Sequence, residues 1–477
     1  MKPLAVLIPE RIDIEEIVNV NSSLFEEDYL RYLINTIVIK QGRIVENKEL
    51  NNEKDLKQRK YQNASKEYIR IESLKNGSQH EKHKELIKYL CQNNVEIHSS
   101  RTRMKLISIC ERTRSVQEEP FKYRFSEYFR ENKLRIEFIK DYKIINAFKK
   151  QHSKCDGELN TGTFKFLSKF FNQDKLQIDL EKAVELCEQR YGEHQKYGVY
   201  VKEMMQIVNL YNGIYRLTFK RNSLGRIYTN ITQLPKVYRE FITYDNKQLS
   251  EIDISNSVIF FLGLLLDETL NKNLIIDLFN KNIYNLLNEE SYSYYHSFYK
   301  SFESLSQKET QLLKILGSNG KFYDEFISDF DKTYPFEQMK YFYESENDGI
   351  YTGTESQIRK VCKKRLLAML FAQSKHYEQE QEIFKTKFPE LLERINKFKD
   401  VAGHEKLSHI LFQIEACFVV DIVARKFNRK YWKTTPIFTL HDCLITTSDY
   451  IGKLEQVFND SFIEYLGCVP KTEVKEW

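Results

Sequence analysis

The sequence predicts a helix-rich α+β fold. Glycine and proline are scarce, with 16 and 8 residues among 477, whereas average usage is about 7% and 5%. This shortage argues against an all-β sandwich, which needs many turns. Apolar residues recur at three- and four-residue spacing over 356–375 and 405–427, which predicts long helices. Short β-rich runs between and after these segments predict a sheet.

Length and composition limit the class of protein further. The chain is about three times the ~150 residues of one ordinary domain, so two or three domains or one multi-lobed unit are expected. Hydrophobic residues make up 41% and charged residues 30%, which excludes wholesale disorder. The formal charge of +5 is compatible with a polyanionic partner but does not require one.

Several features predict a soluble, cytoplasmic protein that does not cross a membrane. The start of the chain lacks the long apolar run and cleavage site of a signal peptide. The longest apolar stretch, Val258 to Leu266, is about half of a bilayer span. Eight cysteines are scattered without a C-x-x-C pair, which indicates reduced thiols.

The N-terminal part, residues 1–200, is predicted to be mostly helical. Residues 1–100 form a helical region of unknown role, and 101–220 a basic, aromatic helical region. Within 101–150, fourteen Lys or Arg stand against seven Asp or Glu, with eight Phe or Tyr interleaved. Such a stretch suits a nucleic-acid surface, but an amphipathic lobe with solvated cations gives the same composition. A protein partner bound through residues 1–200 also stays open.

Beyond residue 200 the pattern alternates between helix and strand. The predicted elements are a helix over 202–219, a turn over 221–226, a strand from Leu249 to Ile254, a hairpin of 435–440 and 444–447 with Asp442 and Cys443 at its bend, a helix over 450–465 and a strand over 469–475.

Two aspartates stand out by their positions. Asp253 lies at the end of the predicted strand, and Asp442 lies in His441-Asp442-Cys443 at the tip of the predicted hairpin. Strand-end carboxylates brought together can share two divalent cations, the arrangement used for in-line phosphoryl transfer. Magnesium prefers such oxygen ligands and lets substrate phosphates complete its shell.

The predicted helix over 356–375 provides a matching cationic surface. Arg359 and Lys363 are four residues apart and project from one face. Phe371 lies two turns further along the same stripe. The charged end suits a triphosphate, and the ring suits an incoming base.

In joint order and spacing, these residues resemble the motifs of the family A DNA polymerases and, more distantly, of the single-subunit phage RNA polymerases. The strand and turn Glu251-Ile252-Asp253-Ile254-Ser255-Asn256 are similar to motif A, and Leu440-His441-Asp442-Cys443 to motif C. Arg359, Lys363, Leu367, Phe371 and Ala372 approximate motif B. His409 and Gln413 match the glutamine-bearing helix before motif C. An upstream motif is approximated by Gly225-Arg226, Asn230, Gln233, Pro235, Arg239 and Phe241.

The resemblance implies a right-hand polymerase architecture. The palm, with an antiparallel sheet, would comprise 221–258 and 400–477, and the helical fingers 259–399. The region 101–220 would serve as thumb or template grip.

The resemblance also implies roles for single residues. Asp253, Asp442 and the Ile254 carbonyl would hold two Mg²⁺ ions, with Mn²⁺ as an alternative. The nucleotide would contact Arg359, Lys363, Phe371, Val258 and Ser255, whereas primer and template would contact Arg226, Gln233, Gln413 and His441. The implied partners are a nucleic-acid template and primer, most simply DNA, and nucleoside triphosphates.

Departures from the family pattern keep other functions open. The family's glutamate that crowds the 2′-hydroxyl is replaced by Val258, which favours an RNA polymerase or primase as the alternative. The spacing from Asp253 to Arg359 suggests an insertion around 270–350, and motif C lacks a second acid after Asp442. A template-independent nucleotide-adding enzyme and a non-catalytic nucleic-acid binding protein on a polymerase-like fold also stay open. No set of acids that would form a proofreading exonuclease was found.

Overall fold

The computed structural model describes residues 2–20, 26–52, 86–92, 95–98, 104–112, 123–220, 226–267, 297–298, 300–302, 305–345, 349–431 and 435–477. The chain forms two compact units that alternate along the sequence. Unit 1 comprises Met1–Cys155, Phe171–Arg216 and Thr229–Asn246, and unit 2 comprises Asp156–Phe170, Leu217–Tyr228 and Lys247–Trp477.

Helices predominate in the described residues. The α-helices are α1 Ile14–Val20, α2 Glu27–Asn52, α3 Tyr142–His152, α4 Gly157–Asn160, α5 Lys165–Ser168, α6 Leu180–His194, α7 Tyr197–Tyr211, α8 Asn230–Gln233, α9 Ser257–Leu265, α10 Gln307–Ser318, α11 Ile327–Thr333, α12 Phe336–Glu344, α13 Glu355–Phe371, α14 Glu378–Lys385, α15 Pro389–Ala402, α16 His404–Ala416, α17 Arg425–Tyr431 and α18 Ile451–Leu466. A π-helical segment, Cys417–Ala424, joins α16 to α17, and short 3₁₀ turns span Glu127–Phe129, Lys236–Phe241, Asp324–Phe326 and Ser448–Tyr450.

The strands are short. They are β1 Leu4–Pro9, β2 Val95–His98, β3 Met104–Ile107, β4 Cys110–Arg112, β5 Tyr123–Phe125, β6 Leu134–Ile139, β7 Lys154–Cys155, β8 Leu176–Ile178, β9 Arg216–Lys220, β10 Arg226–Tyr228, β11 Ile242–Tyr244, β12 Lys247–Ile254, β13 Phe438–Leu440, β14 Cys443–Thr447 and β15 Thr472–Glu476. Long helices with antiparallel strand pairs confirm the predicted helix-rich α+β class.

Unit 1 contains strands that the sequence analysis did not predict. β1 pairs antiparallel with β6, from Leu4 opposite Ile139 to Pro9 opposite Leu134. Every residue of β1 is buried, and a short apolar run buried on all sides lacks the periodicity that separates strand from helix. The Asn212 side chain binds both the N–H and the carbonyl of Ala5, each at 2.8 Å. The prediction of a mostly helical region over 1–200 was therefore wrong for these segments.

The basic, aromatic region 101–150 also departs from the helical prediction. It contains β3 to β6 before α3 begins, while residues 113–122 lie outside the described part. Phe125, Phe129 and Phe148 are buried, whereas Tyr142 is 59% exposed and Phe138 39% exposed. Its rings thus contribute both to a core and to the surface.

The predicted helix over 202–219 is wrong at its C-terminal end. The helix α7 ends at Tyr211 and the chain continues as β9. Asn212 and Gly213 separate the two elements, and Gly213 has a φ of 67°. Glycine adopts this left-handed conformation without the Cβ penalty, which is a common way to end a helix. Of the turn predicted over 221–226, residues 221–225 lie outside the described residues, and Arg226 begins β10.

In unit 2, β12 is the strand that organises the sheet. It pairs antiparallel with β14, Leu249 facing Thr447 and Ile252 facing Leu444, and on its other side with β15. β13 pairs with β14 as a hairpin. The indole N–H of Trp477 donates to buried Glu251 of β12 at 2.9 Å. The predicted strand over 249–254 and the predicted hairpin are confirmed, but Cys443 begins β14 rather than lying in the turn.

The apolar block that follows β12 forms the buried helix α9. Phe260, Phe261 and Leu262 are at most 2% exposed, as their sequence predicts for a core. α9 packs closely on α10 because two glycines lie at the crossing. A Cβ on Gly317 would lie 3.1 Å from the Cα of Phe260, and one on Gly263 would lie 3.3 Å from the Cα of Lys314. The missing side chains therefore bring the two backbones together.

The predicted helix over 405–427 is confirmed, with a π-helical segment within it. By length and composition the whole run His404–Tyr431 could cross a membrane, but 83% of its most apolar window is buried inside the protein. Helices α13 and α18 and strand β15 confirm the other C-terminal predictions, with boundaries shifted by a few residues. Of the predicted insertion around 270–350, residues 270–296 lie outside the described part, whereas 305–345 contain the helices α10 to α12.

Candidate active site

The strand pair β12–β14 brings together the two aspartates identified from sequence. Asp253 lies near the C-terminal end of β12, and Asp442 lies in the two-residue turn between β13 and β14. His441, the other turn residue, has a left-handed φ of 57°, which the hairpin imposes. One ligand atom from each of Asp253, Asp442 and Cys443 lies within 4.8 Å of the others. This set of side chains, here called the acid centre, could hold a metal ion.

Asp253 is hydrogen-bonded to a thiol. Sγ of Cys443 donates to Oδ1 of Asp253 at 3.1 Å. Burial and then the charge of Asp442 raise the pKa of Asp253, while the thiol, Lys475 and Lys363 lower it. Burial and the two carboxylates raise the pKa of Cys443 well above its usual value. The negative charges of the acid centre would therefore be stabilised by a bound proton or a bound cation.

Asp442 belongs to a polar network on its other side. The hydroxyl of Ser257, the first residue of α9, donates to Oδ2 of Asp442 at 2.8 Å. The same network includes Glu415 of α16, which is 1% exposed. Glu415 accepts a hydrogen bond from the Arg226 guanidinium at 2.6 Å. Burial, followed by the charge of Asp442, raises the pKa of Glu415 to about 7, although Arg226 opposes this. The charge of Asp442 therefore acts on both Asp253 and Glu415.

The Arg226 guanidinium also covers an aromatic pair. It lies 3.9 Å from the centroid of the Phe412 ring, a distance typical of cation–π contact. Phe371, at the end of α13, packs against Phe412 with the ring centroids 5.5 Å apart. Phe412 of α16 thereby links Arg226 and Phe371, which the sequence analysis assigned to separate motifs.

The basic side chains near the acid centre differ in the ion pairs that they form. Lys363 of α13 is exposed, and its charge lowers the pKa of Asp253. Lys475 of β15 acts on Asp253 in the same way and pairs with Glu473 at 2.8 Å. Arg359 instead pairs with Asp324 at 2.5 Å and donates to the carbonyl of Gly320 at 3.1 Å. Lys363 is thus the exposed member of the predicted Arg–Lys pair that acts on the acid centre.

Gly320 links the start of α13 to the acid centre. Its φ is 73°, and a Cβ there would lie 3.2 Å from Cβ of Ser255. Ser255 follows β12 directly, and its N–H donates to the carbonyl of Lys471 at 2.9 Å. The helix N-terminus that carries Arg359 and the turn after Asp253 therefore border the same glycine.

The other residues predicted from sequence have varied surroundings. Ile254 and Val258 are buried, at 2% and 9% exposure, as is Gln413 at 4%. His441 packs edge-on against Tyr228, with ring centroids 6.0 Å apart. Gln233 is exposed and belongs to unit 1, whereas the acid centre belongs to unit 2. Gly225 of the upstream motif lies outside the described residues.

Glu415 is the residue that sequence reasoning missed. A signal was present, since it is the one acid in the apolar stretch Ile410–Val420, and a buried acid needs a compensating partner. The partner, Arg226, is 189 residues away, so the sequence alone could not name it. The acid pair Asp253 and Asp442, spaced equally far apart, was found because each lies at a recognisable strand end.

Comparison with known proteins adds little to this geometry. No protein-family model matches the chain, and no curated protein matches it. Among solved structures, the chain is similar to the POL domain of Pol1 from M. smegmatis, determined in complex with DNA primer-template and dNTP. The identity is 10%, the match covers 70% of this chain and 73% of that chain, and the TM-score is 0.28. The chemistry of the acid centre must therefore be inferred from its own residues.

Proposed function

We propose that the protein is a template-directed nucleotidyltransferase, in the first instance a DNA polymerase without proofreading. It would transfer a nucleotidyl group from a nucleoside triphosphate to a 3′-hydroxyl, which loses its proton, with pyrophosphate as the leaving group. The observation that carries this proposal is the meeting of Asp253 and Asp442, 189 residues apart in sequence, within one acid centre. The right-hand arrangement, with the palm over 221–258 and 400–477 and the fingers over 259–399, is part of the proposal.

The donor set fits divalent cations. Two carboxylates that lie close together match the sparse oxygen ligands that Mg²⁺ accepts. Asp253 and Asp442 would hold Mg²⁺ or Mn²⁺, with the Ile254 carbonyl as a further ligand. Bound there, the ions would activate the attacking hydroxyl and stabilise the leaving oxygen.

The chain's own cations would orient the triphosphate. Lys363 is exposed and acts on Asp253, which supports a role in neutralising phosphate charge beside the acid centre. Arg359 would have to exchange Asp324 and the Gly320 carbonyl for phosphate oxygens. An arginine provides two parallel donors for that purpose.

The surface beside the reacting groups would be formed by the side chains of Arg226, Phe412 and Phe371. Because Glu415 and Phe412 hold the Arg226 guanidinium in place, Arg226 would position the network behind Asp442 as well as contact the primer. Phe371 would pack near the nascent base pair, and Gln413 and His441 would lie along the template and primer terminus. Gln233 stays a predicted nucleic-acid contact.

A second candidate function is ribonucleotide polymerisation, as in an RNA polymerase or primase. The observation that favours it is Val258, whose side chain is apolar and 9% exposed in the first turn of α9. A valine cannot form the hydrogen bond of the family's glutamate at this position. At this position, Val258 would therefore distinguish ribose from deoxyribose by shape and not by a hydrogen bond.

The test uses the full chain with Mg²⁺ and labelled dNTPs or NTPs, supplied separately, on primed and unprimed DNA and RNA. Asp253→Asn and Asp442→Asn should each reduce incorporation by about a thousandfold, since metal ions supply several kcal/mol of transition-state stabilisation. Asp449→Asn is the matched control, because this carboxylate follows the far end of β14 and is 45% exposed. Undiminished incorporation by either active-site variant would refute the assignment. Salt-dependent nucleic-acid binding without incorporation by the unmodified chain would instead indicate a binding protein.

Lys363 can be tested separately from the metal ligands. Lys363→Ala should lower kcat/KM for the nucleotide by about tenfold to a hundredfold, from the ~1.5–3 kcal/mol of a hydrogen bond to a charged group, and mainly through KM. Lys360→Ala is the control, since Lys360 is exposed on the same helix but lies 5.7 Å from the centroid of the Tyr343 ring. Steady-state kinetics with varied nucleotide concentration measures both. Equal effects of the two variants would contradict the role of Lys363.

A further inference from the structure

The acid centre contains a sulfur donor as well as carboxylates. Cys443 is 8% exposed, and its Sγ lies 3.1 Å from Oδ1 of Asp253. Its ligand atom and those of both aspartates lie within 4.8 Å of one another. Magnesium takes hard oxygen ligands, so a thiol at this position adds nothing to Mg²⁺ binding. Softer cations, Zn²⁺ above all, accept thiolate and carboxylate together.

A second observation concerns the buried carboxyl group of Glu415. Oε2 of Glu415 is buried without a hydrogen-bond partner, in a side chain that is 1% exposed. Both Asp442 and the Ser257 hydroxyl that binds Asp442 act on the Glu415 carboxyl. Burying the negative charge of a carboxylate beside the charge of Asp442 is costly. A divalent cation in the acid centre would offset this crowding of negative charge.

We propose that Asp253, Asp442 and Cys443 bind a thiophilic divalent cation such as Zn²⁺, with Cys443 as its thiolate ligand. On binding, the S–H bond breaks, a metal–sulfur bond forms and the proton leaves to solvent, without any redox change. The cation's charge stabilises the thiolate and opposes the effect of the two aspartates. The proposal shares both aspartates with the proposed function but does not depend on nucleotidyl transfer. Zn²⁺ would compete with Mg²⁺ for the same centre.

The experiment titrates the metal-free full chain with Co²⁺, which reports thiolate ligation through a sulfur-to-cobalt charge-transfer absorbance in the near ultraviolet. The unmodified chain should develop this absorbance at one equivalent, and added Zn²⁺ should remove it. Cys443→Ser should abolish it. Asp253→Asn keeps the thiol and should weaken Co²⁺ binding by more than the about 10–100-fold that loss of an outer partner causes. Cys155→Ser is the control, because Cys155 is an exposed cysteine outside the acid centre.

The outcomes are separable from those of the incorporation assay. Co²⁺ binding to the unmodified chain without charge-transfer absorbance, or absorbance that persists in Cys443→Ser, would overturn the proposal. If Cys443→Ser does not fold by circular dichroism, the unmodified chain and Asp253→Asn still decide it. Thiolate absorbance in a chain that incorporates no nucleotide would refute the proposed function alone. Incorporation without thiolate absorbance would refute the cation site alone.

Discussion

The two ends of the strand pair β12–β14 are built on opposite electrostatic principles. At one end, Lys247 pairs with Asp449 at 2.6 Å, and both side chains are about half exposed. At the other end, Asp253 and Asp442 lie within one acid centre and are half-buried. At the first end, opposite charges form an ion pair that is exposed to solvent. At the second end, two like charges lie close together, and burial raises the pKa of Asp253. The difference identifies the end at which a bound cation would offset negative charge.

A buried ion pair lies next to the end of the strand pair that carries Asp253 and Asp442. Glu415 accepts from Arg226, and Arg226 in turn lies over Phe412. Removing one partner of a buried pair is far more destabilising than removing a surface pair, because it leaves a charge uncompensated. The variants below test this contrast between the two ends, in order of decreasing effect.

Arg226→Ala should have the largest effect on stability. At about pH 8, where Glu415 is ionised, loss of its partner should lower the free energy of unfolding by about 3–5 kcal/mol. Near pH 5 the cost should be smaller, because Glu415 can be neutralised by a proton. Urea unfolding at both pH values measures this. The double variant Arg226→Ala with Glu415→Gln should recover part of the loss, and an additive double variant would contradict the coupling.

Glu415 should also make stability depend on pH. Its pKa in the folded state is about 7, against an ordinary value of 4.5, so the folded protein holds the proton more tightly than the unfolded chain. The stabilisation is fully present below pH 4.5 and is lost as the pH rises through about 7. Glu415→Gln should remove a pH-dependent contribution on the order of 3 kcal/mol.

Unfolding in urea across this pH range, with a chelator present, measures the slope. Glu464→Gln provides the control, because Glu464 is 58% exposed and should leave the slope unchanged. A slope that survives Glu415→Gln would place the titrating group elsewhere, with Asp253 the next candidate because its pKa is also raised.

The stability of the protein should be least sensitive to substitution at the exposed end of the strand pair, where Lys247 and Asp449 lie. Asp449→Asn breaks the pair with Lys247, and exposed pairs contribute only about 0.2–1 kcal/mol. Thermal unfolding at low and high salt should show a small loss that salt removes. A loss comparable to that of Arg226→Ala would erase the distinction between the two ends.

The parts of the site that were predictable from sequence are those set by local structure. The strand before Asp253, the hairpin around Asp442 and the helix that carries Arg359 and Lys363 were all identified, because period, turn position and four-residue spacing are local properties. The same reasoning failed in unit 1, where β1 is a fully buried run without periodicity, and at α7, where Asn212-Gly213 ends the helix early.

What the sequence by itself determined is the inventory: two strand-end aspartates, a basic helix face and an apolar core helix. Only the tertiary structure decided that Cys443 contacts Asp253, that Arg226 pairs with Glu415 and that Arg359 pairs with Asp324 while Lys363 stays exposed. These contacts join residues 35 to 190 positions apart. Their energies depend on burial and distance, and neither quantity exists until the chain has folded.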